Sequence, residues 1–303
     1  MATTWEGVFT ALTTRFKESG ELDCGAMEAH IGRQLSAGVH GIIVLGSLGE
    51  NGSLSAAEKQ EVVRTAAAVC RGKAPLVACV AETTTADACA CARDSARNGA
   101  AGLMLLPPMR YASDERETET YLRTVAAASD LPVMLYNNPV SYRVDISPAM
   151  FARLADEGKF VAVKESSDDV RRITDIRNLV GERYALFTGV DDIALESLLL
   201  GCAGWVAGLV CAFPRETVAL YRYVRERRID EALALYRWFM PLLHLDVSVK
   251  FVQNIKLAEA MAGVGNERVR APRLPLAGEE RARVEAVIAR ALATRPRLPG
   301  GTL

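Results

Sequence analysis

Short apolar runs alternate with helix-like stretches over the first ~225 residues, and this alternation limits the fold more than any other feature of the chain. The first run occupies residues 7–14, and a fully apolar one follows at 41–45. Others lie at 76–80, 102–106, 132–136, 160–164, 184–188 and 204–208. Between them, residues 24–37, 85–98, 114–129, 169–179 and 191–200 carry helical periodicity, often closed by glycine. Ser55 with Glu58 offers a capping box for a further helix, and Pro148 after Ser147 starts another. Strands apolar on both faces belong to parallel sheets covered by helices. About eight such units fit a (β/α)8 TIM barrel better than an open sheet. The alternative is an open, doubly wound sheet; no G-x-G-x-x-G follows the first strand, which weakens a dinucleotide-binding reading.

From about residue 226 the strands stop. Residues 229–243, 248–261 and 278–294 read as helices, punctuated by Pro241, Gly263, Gly265, Pro272 and Pro275. The expected organisation is a barrel over 1–225 and a small helical region over 226–303 packed on it, with a fraying tail from 295.

Composition narrows the function classes. The formal net charge of −1 leaves no basic excess for neutralising phosphates, so no nucleic-acid partner is expected. No apolar run reaches bilayer length, and the N-terminus lacks a basic segment followed by an apolar core. A cytoplasmic protein without a membrane partner is expected. The seven cysteines include no CxxC pair and read as reduced thiols. Only His30, His40 and His244 are present, without ligand spacing, so no metal is expected.

In a barrel, all parallel strands end on one face, and the loops there build one pocket. The run Phe160-Val161-Ala162-Val163 ends in Lys164. A lysine held between an apolar sheet and a pocket loses hydration, so its amine is freer to attack a carbonyl. By itself the position fits equally a lysine snorkelling out of the strand, or an ion-pair partner of Asp168 or Asp169. Tyr136 ends the neighbouring strand; its hydroxyl could shuttle protons, or simply cap the barrel wall. The loop Gly46-Ser47-Leu48-Gly49-Glu50 offers backbone N–H groups and the Ser47 hydroxyl to a carboxylate, or is an ordinary turn. Thr188, Gly189 and Gly208 would let a ligand approach the backbone, and Asn137 and Asn138 precede the turn at Pro139.

Three of these stretches together, Gly46-Ser47-Leu48-Gly49-Glu50, Tyr136-Asn137-Asn138-Pro139 and Val163-Lys164-Glu165, resemble in order and spacing the motifs of the dihydrodipicolinate synthase and N-acetylneuraminate lyase family. The resemblance runs from about Gly7 through the C-terminal helices. It implies class I aldolase chemistry without a cofactor. Lys164 would form an imine with a small 2-oxo acid, usually pyruvate, and Tyr136 would relay protons. Ser47, Leu48 and Gly46 would bind the substrate carboxylate, with Thr188, Gly189, Gly208 and Asn138 lining the pocket. A homotetramer built as a dimer of dimers is also implied.

Departures from the pattern bear on the substrate. Leu48 stands where threonine is usual, and Ser141 where the synthases hold an arginine for the aldehyde carboxylate, with Arg143 two residues on. The tyrosine that the synthases donate across a dimer is displaced to Tyr111, after Pro108, Met109 and Arg110. Residues 136–141, 237–245 and 270–276 look more like the branch of deaminases that convert 1-pyrroline-4-hydroxy-2-carboxylate to 2-oxoglutarate semialdehyde and ammonia in hydroxyproline breakdown. Alternatives with the same lysine chemistry are a pyruvate-dependent aldolase or synthase and a 2-keto-3-deoxy sugar acid aldolase or dehydratase. A ligand-binding barrel or a structural scaffold would instead leave Lys164 unreactive.

Overall fold

The computed structural model of the chain describes residues 5–108 and 111–298. Eight strands, β1 (Gly7–Ala11), β2 (Gly41–Val44), β3 (Leu76–Val80), β4 (Gly102–Leu105), β5 (Val133–Asn137), β6 (Phe160–Glu165), β7 (Ala185–Thr188) and β8 (Gly204–Ala207), pair in sequence order. All pairings are parallel, and β1 closes onto β8 through the register Gly7↔Gly204 to Thr10↔Ala207. The (β/α)8 barrel expected from the alternation is what forms.

Its helices are α1 (Cys24–Ser36), α2 (Ala56–Cys70), α3 (Thr85–Arg97), α4 (Glu115–Ala126), α5 (Pro139–Tyr142), α6 (Pro148–Leu154), α7 (Arg171–Val180), α8 (Ala194–Leu199) and α9 (Pro214–Arg225). Beyond them lie α10 (Ile229–Leu243), α11 (Phe251–Met261) and α12 (Gly278–Ala293). Capping chemistry sets many of the starts. Ser55 and Glu58 close a capping box on α2, Asp114 and Glu117 one on α4, and Ser147 caps α6 ahead of Pro148. Each satisfies amide groups that a helix's first turn leaves open.

The barrel is filled by large rings set against absent side chains. Phe9 of β1 and Phe187 of β7 meet edge to face at 5.1 Å. A Cβ on Gly41 would lie 2.6 Å from the Phe9 ring, and one on Gly204 2.2 Å from the Phe187 ring. Each glycine is the register partner of the phenylalanine it faces, so large and small positions interlock in one layer.

Several expected bounds shift. The first strand ends at Ala11, so Thr13 and Thr14 lie beyond it. The stretch expected as one helix at 191–200 splits into a 3-10 turn, Asp191–Ile193, and α8. Pro241 does not punctuate α10 but lies inside its last turn, where its missing N–H withdraws only the bond that the Arg237 carbonyl would otherwise accept. The four-residue α5 was not expected at all, because one turn has no periodicity to read.

Buried ion pairs fasten α11 to the strand-end face of the barrel. Glu259 receives both Arg15 guanidinium nitrogens at 2.6 and 3.0 Å and the Thr13 hydroxyl at 3.0 Å. Lys256 pairs with Glu50 of the loop after β2. With Arg15 1% exposed and Glu259 fully buried, each charge depends on its partner for the solvation it gave up.

Candidate active site

Register places the central pair. Tyr136 of β5, Lys164 of β6 and Phe187 of β7 are consecutive partners across the sheet, so their side chains project on the same face. Lys164 is 7% exposed, and its Nζ stands 4.0 Å from the centre of the Tyr136 ring. Burial holds its pKa below the usual lysine value, against the raising effect of Tyr142, Asp246, Cys79 and Asp191. Among the described residues no ion pair joins it to Asp168 or Asp169, and Asp169 is engaged by Arg171 at 2.7 and 2.8 Å. Glu165, next in the strand, points the opposite way and is held by Asn137 and by the amide of Ser167.

A hydroxyl chain lies beside the amine. The α5 turn brings the Tyr142 hydroxyl onto Ser47 Oγ, and its ring stands edge-on to Tyr136 at 5.8 Å between centroids. Asn138 positions this group twice over: its Oδ1 accepts the Ser141 amide at 2.9 Å, capping α5, and its Nδ2 donates to the Tyr136 hydroxyl at 3.2 Å. Burial pushes the Tyr136 phenol up to about 12, against the lowering effect of Asn138 and Tyr142, and raises Tyr142 too. Both phenols are therefore neutral near pH 7 and able to donate.

The Ser47 loop is held in an uncommon backbone shape. Leu45 and Glu50, at its two ends, have φ of +64° and +57°. Left-handed non-glycine residues cost ~1–3 kcal/mol each and persist where surroundings impose them. Here Thr14 Oγ1 binds the Gly49 carbonyl at 2.6 Å, while the Glu50 carboxylate takes Lys256 and the Arg270 amide. Gly46 faces Met104, and Leu48 is buried at 4%.

Across from that loop, a Cβ on Gly189 would lie 2.3 Å from Lys164 Cε and 2.2 Å from Ser166 Oγ. The Ser166 hydroxyl is buried without a protein partner. Thr188 is buried at the end of β7. A Cβ on Gly208 would meet Asp246 Oδ1 at 2.3 Å. Asp191, fully buried, accepts from Trp205 Nε1 at 2.9 Å, from the Gly208 amide at 3.3 Å and from the Leu209 amide at 2.9 Å. Lys164, Asp191 and Asp246 thus form one electrostatic cluster, in which burial raises the pKa of both acids.

The sequence singled out Ser47, Tyr136, Asn138, Lys164, Gly189 and Gly208, which the structure gathers at one end of the barrel. It missed Tyr142, Asp191 and Asp246. Thr13 and Thr14 sit near but serve Glu259 and the Gly49 carbonyl. Arg143 is exposed, and Tyr111 is 58% exposed; Met109 and Arg110 lie outside the described residues. No metal was expected, yet His30, Cys211 and Glu259 bring ligand atoms within 4.8 Å of one another. Arg15 already occupies Glu259 with positive charge there, and burial pushes the Cys211 thiol up and away from the thiolate a metal requires.

Comparison with known proteins gives this arrangement a family. The sequence profile described as "Dihydrodipicolinate synthetase family" matches residues 4–291. The chain belongs to that family. A 4-hydroxy-tetrahydrodipicolinate synthase of Methanothrix thermoacetophila is 30% identical over 289 residues, covering 94% of this chain and 96% of the relative. An uncharacterized DapA-like lyase of Rhizobium meliloti is also 30% identical, covering 91% and 92%. Among solved structures, the 4-hydroxy-tetrahydrodipicolinate synthase of Methylacidiphilum fumariolicum superposes with a TM-score of 0.91 at 26% identity, covering 96% of this chain and 97% of that one. The dihydrodipicolinate synthase of Aquifex aeolicus gives 0.89 at 27%, covering 94% and 98%. A family member is accordingly a lyase with the class I aldolase barrel. Among the described residues, no helix is long and apolar enough to cross a membrane.

Proposed function

We propose that the protein is a Schiff-base lyase whose nucleophile is Lys164, and that it deaminates 1-pyrroline-4-hydroxy-2-carboxylate. The observation that carries the lysine assignment is the buried Lys164 amine 4.0 Å from the Tyr136 ring, beside the Tyr136–Tyr142–Ser47 hydroxyls. A desolvated amine supplies the free base, and neutral phenols supply the protons that imine formation moves.

In this reading Lys164 adds to C2 of the ring imine, and the ring nitrogen leaves C2 as a primary amine still attached at C5. The hydroxyl chain gives the ring nitrogen a proton as it leaves C2; the new iminium makes C3 acidic, and the C3 proton passes back to the phenolate so formed. The enamine then expels the 4-hydroxyl as water. Rearrangement moves unsaturation to C5, and two hydrolyses release ammonia from C5 and the 2-oxo acid from Lys164. One water is lost and two are consumed, so substrate plus one water gives 2-oxoglutarate semialdehyde and ammonia. Ser47 and the backbone around Gly46 would hold the C2 carboxylate, with Leu48 against the apolar ring edge.

Two features favour this substrate over an aldol acceptor. Ser141 offers no cation for a second carboxylate, and the exposed Arg143 does not replace it. The buried acids Asp191 and Asp246, both against Gly208, would supply the proton that a leaving hydroxyl needs. A second reading, a pyruvate-dependent synthase or aldolase, is favoured by the names its relatives carry. Ammonia release from the hydroxypyrroline carboxylate, against product formation from pyruvate with aldehyde partners, decides between them. The deaminase reading falls if only the pyruvate reactions turn over. The homotetramer goes with either reading, and light scattering at four times the 32.8 kDa chain mass is its check.

A further inference from the structure

We propose that Asp246, carried by the helical region rather than by the barrel, is the general acid that protonates the departing 4-hydroxyl. This rests on the deaminase reading and deepens it. Asp246 lies between α10 and α11, and its carboxylate lies against the α-carbon of Gly208 at the end of β8. Only a glycine leaves room for it: a Cβ there would also crowd Asp246 Cγ at 2.9 Å. The loop is fixed at three points. His244 Nδ1 pairs with Asp192 at 2.8 Å, and Asn254 Nδ2 donates to the Leu245 carbonyl at 2.9 Å and to Ser248 Oγ at 2.8 Å. Such anchoring is what a group needs if it is to meet a reacting atom in one geometry.

Two acids share this corner, and their surroundings divide the labour. Asp191 accepts hydrogen bonds from one indole and two backbone amides, which favour its charged form. Asp246 shares the Gly208 corner with Asp191, and burial, Asp191 and Asp192 push its proton affinity up, against the lowering effect of Lys164. Neighbouring acids driven apart in this way leave one ionised and the other able to donate.

The step balances within the site. The C3–H electrons form the enamine, and the enamine pair expels the C4–O bond. Asp246 supplies the proton that makes the oxygen water. The carboxylate left behind takes a proton from C5 as the dienamine forms, which restores the acid. The hydroxyl chain returns its proton to C3, and an N–H to C–H shift completes C4. No outside oxidant or reductant enters.

The test is the mass of the adduct trapped on Lys164 by borohydride from the hydroxypyrroline carboxylate. Wild type is expected to give the dehydrated adduct. Asp246→Asn keeps shape and loses the proton: its adduct is expected to form on Lys164 but retain the hydroxyl, one water heavier, with ammonia release down ~10²–10⁴-fold. Asp246→Glu, which keeps the acid, is expected to give the dehydrated adduct again, and it remains decisive if the asparagine variant does not fold. A dehydrated adduct at wild-type rate from Asp246→Asn overturns the assignment, as does a hydrated one from Asp246→Glu. Absence of any adduct from wild type removes the deaminase reading itself, and this inference with it.

Discussion

Gly189→Ala tests the site's geometry through one methyl group. The position has no left-handed backbone requirement, so alanine fits the local fold. The new Cβ would stand 2.3 Å from Lys164 Cε, 2.7 Å from Lys164 Cγ and 2.2 Å from Ser166 Oγ, whereas ordinary contact begins at 3.4 Å. The lysine must retreat by about an ångström, and misplacement on that scale costs ~10²-fold in rate. The accompanying overpacking costs ~1–3 kcal/mol of stability. The assay is the rate of borohydride-trapped adduct on Lys164, read by mass at timed quenches, with thermal melting alongside. Gly158→Ala, whose Cβ would meet nothing within 4 Å, is the control. Trapping at wild-type rate by a folded Gly189→Ala protein would refute the placement of Lys164 against Gly189.

Tyr142→Phe removes the hydroxyl between Ser47 and Tyr136; turnover is expected to fall ~10²-fold or more with Lys164 still trappable on long incubation, and unchanged steady-state rates would count against the relay. Burial favours the neutral amine of Lys164, so its folded-state pKa lies below its unfolded one. The rising limb of the trapping rate against pH is expected below the ordinary lysine value of 10.5, and a limb at or above it would contradict that burial. The same sign means that stability gains as pH rises through the window between the two pKa values, where the unfolded chain binds the extra proton. Glu259→Ala strands the Arg15 charge in the core and is expected to cost ~3–5 kcal/mol in denaturant unfolding; a loss under ~1 kcal/mol would show the pair to be dispensable.

Much of the barrel is legible in the sequence because its signals are local. A β-branched run, a capping serine and a closing glycine each announce themselves within a few residues, and chain order then dictates which strand ends are neighbours. That is how chain order alone pairs Lys164 with Tyr136. Tyr142 is not legible, since α5 is a single turn whose only local mark is Asn138 before Pro139, and that dipeptide reads equally as a loop. Asp246 is hidden for a different reason. It lies 38 residues past Gly208 in a segment that reads as an appendage, and nothing in spacing shows a helix-connecting loop folding back over a strand end. Thr13 and Thr14 also follow a strand end, but α11 and the Ser47 loop claim their hydroxyls.

The measurement that bears most directly on the chemistry is peptide mapping of the protein after borohydride reduction, with the hydroxypyrroline carboxylate and with pyruvate in separate incubations. The expected result is a dehydrated adduct on the peptide carrying Lys164 from the hydroxypyrroline, with weak trapping of pyruvate, and no adduct in Lys164→Ala. Efficient trapping of pyruvate alone would move the protein to the synthases and aldolases of its family. Adducts on other lysines, or none with either compound, would contradict the assignment of Lys164 as the nucleophile.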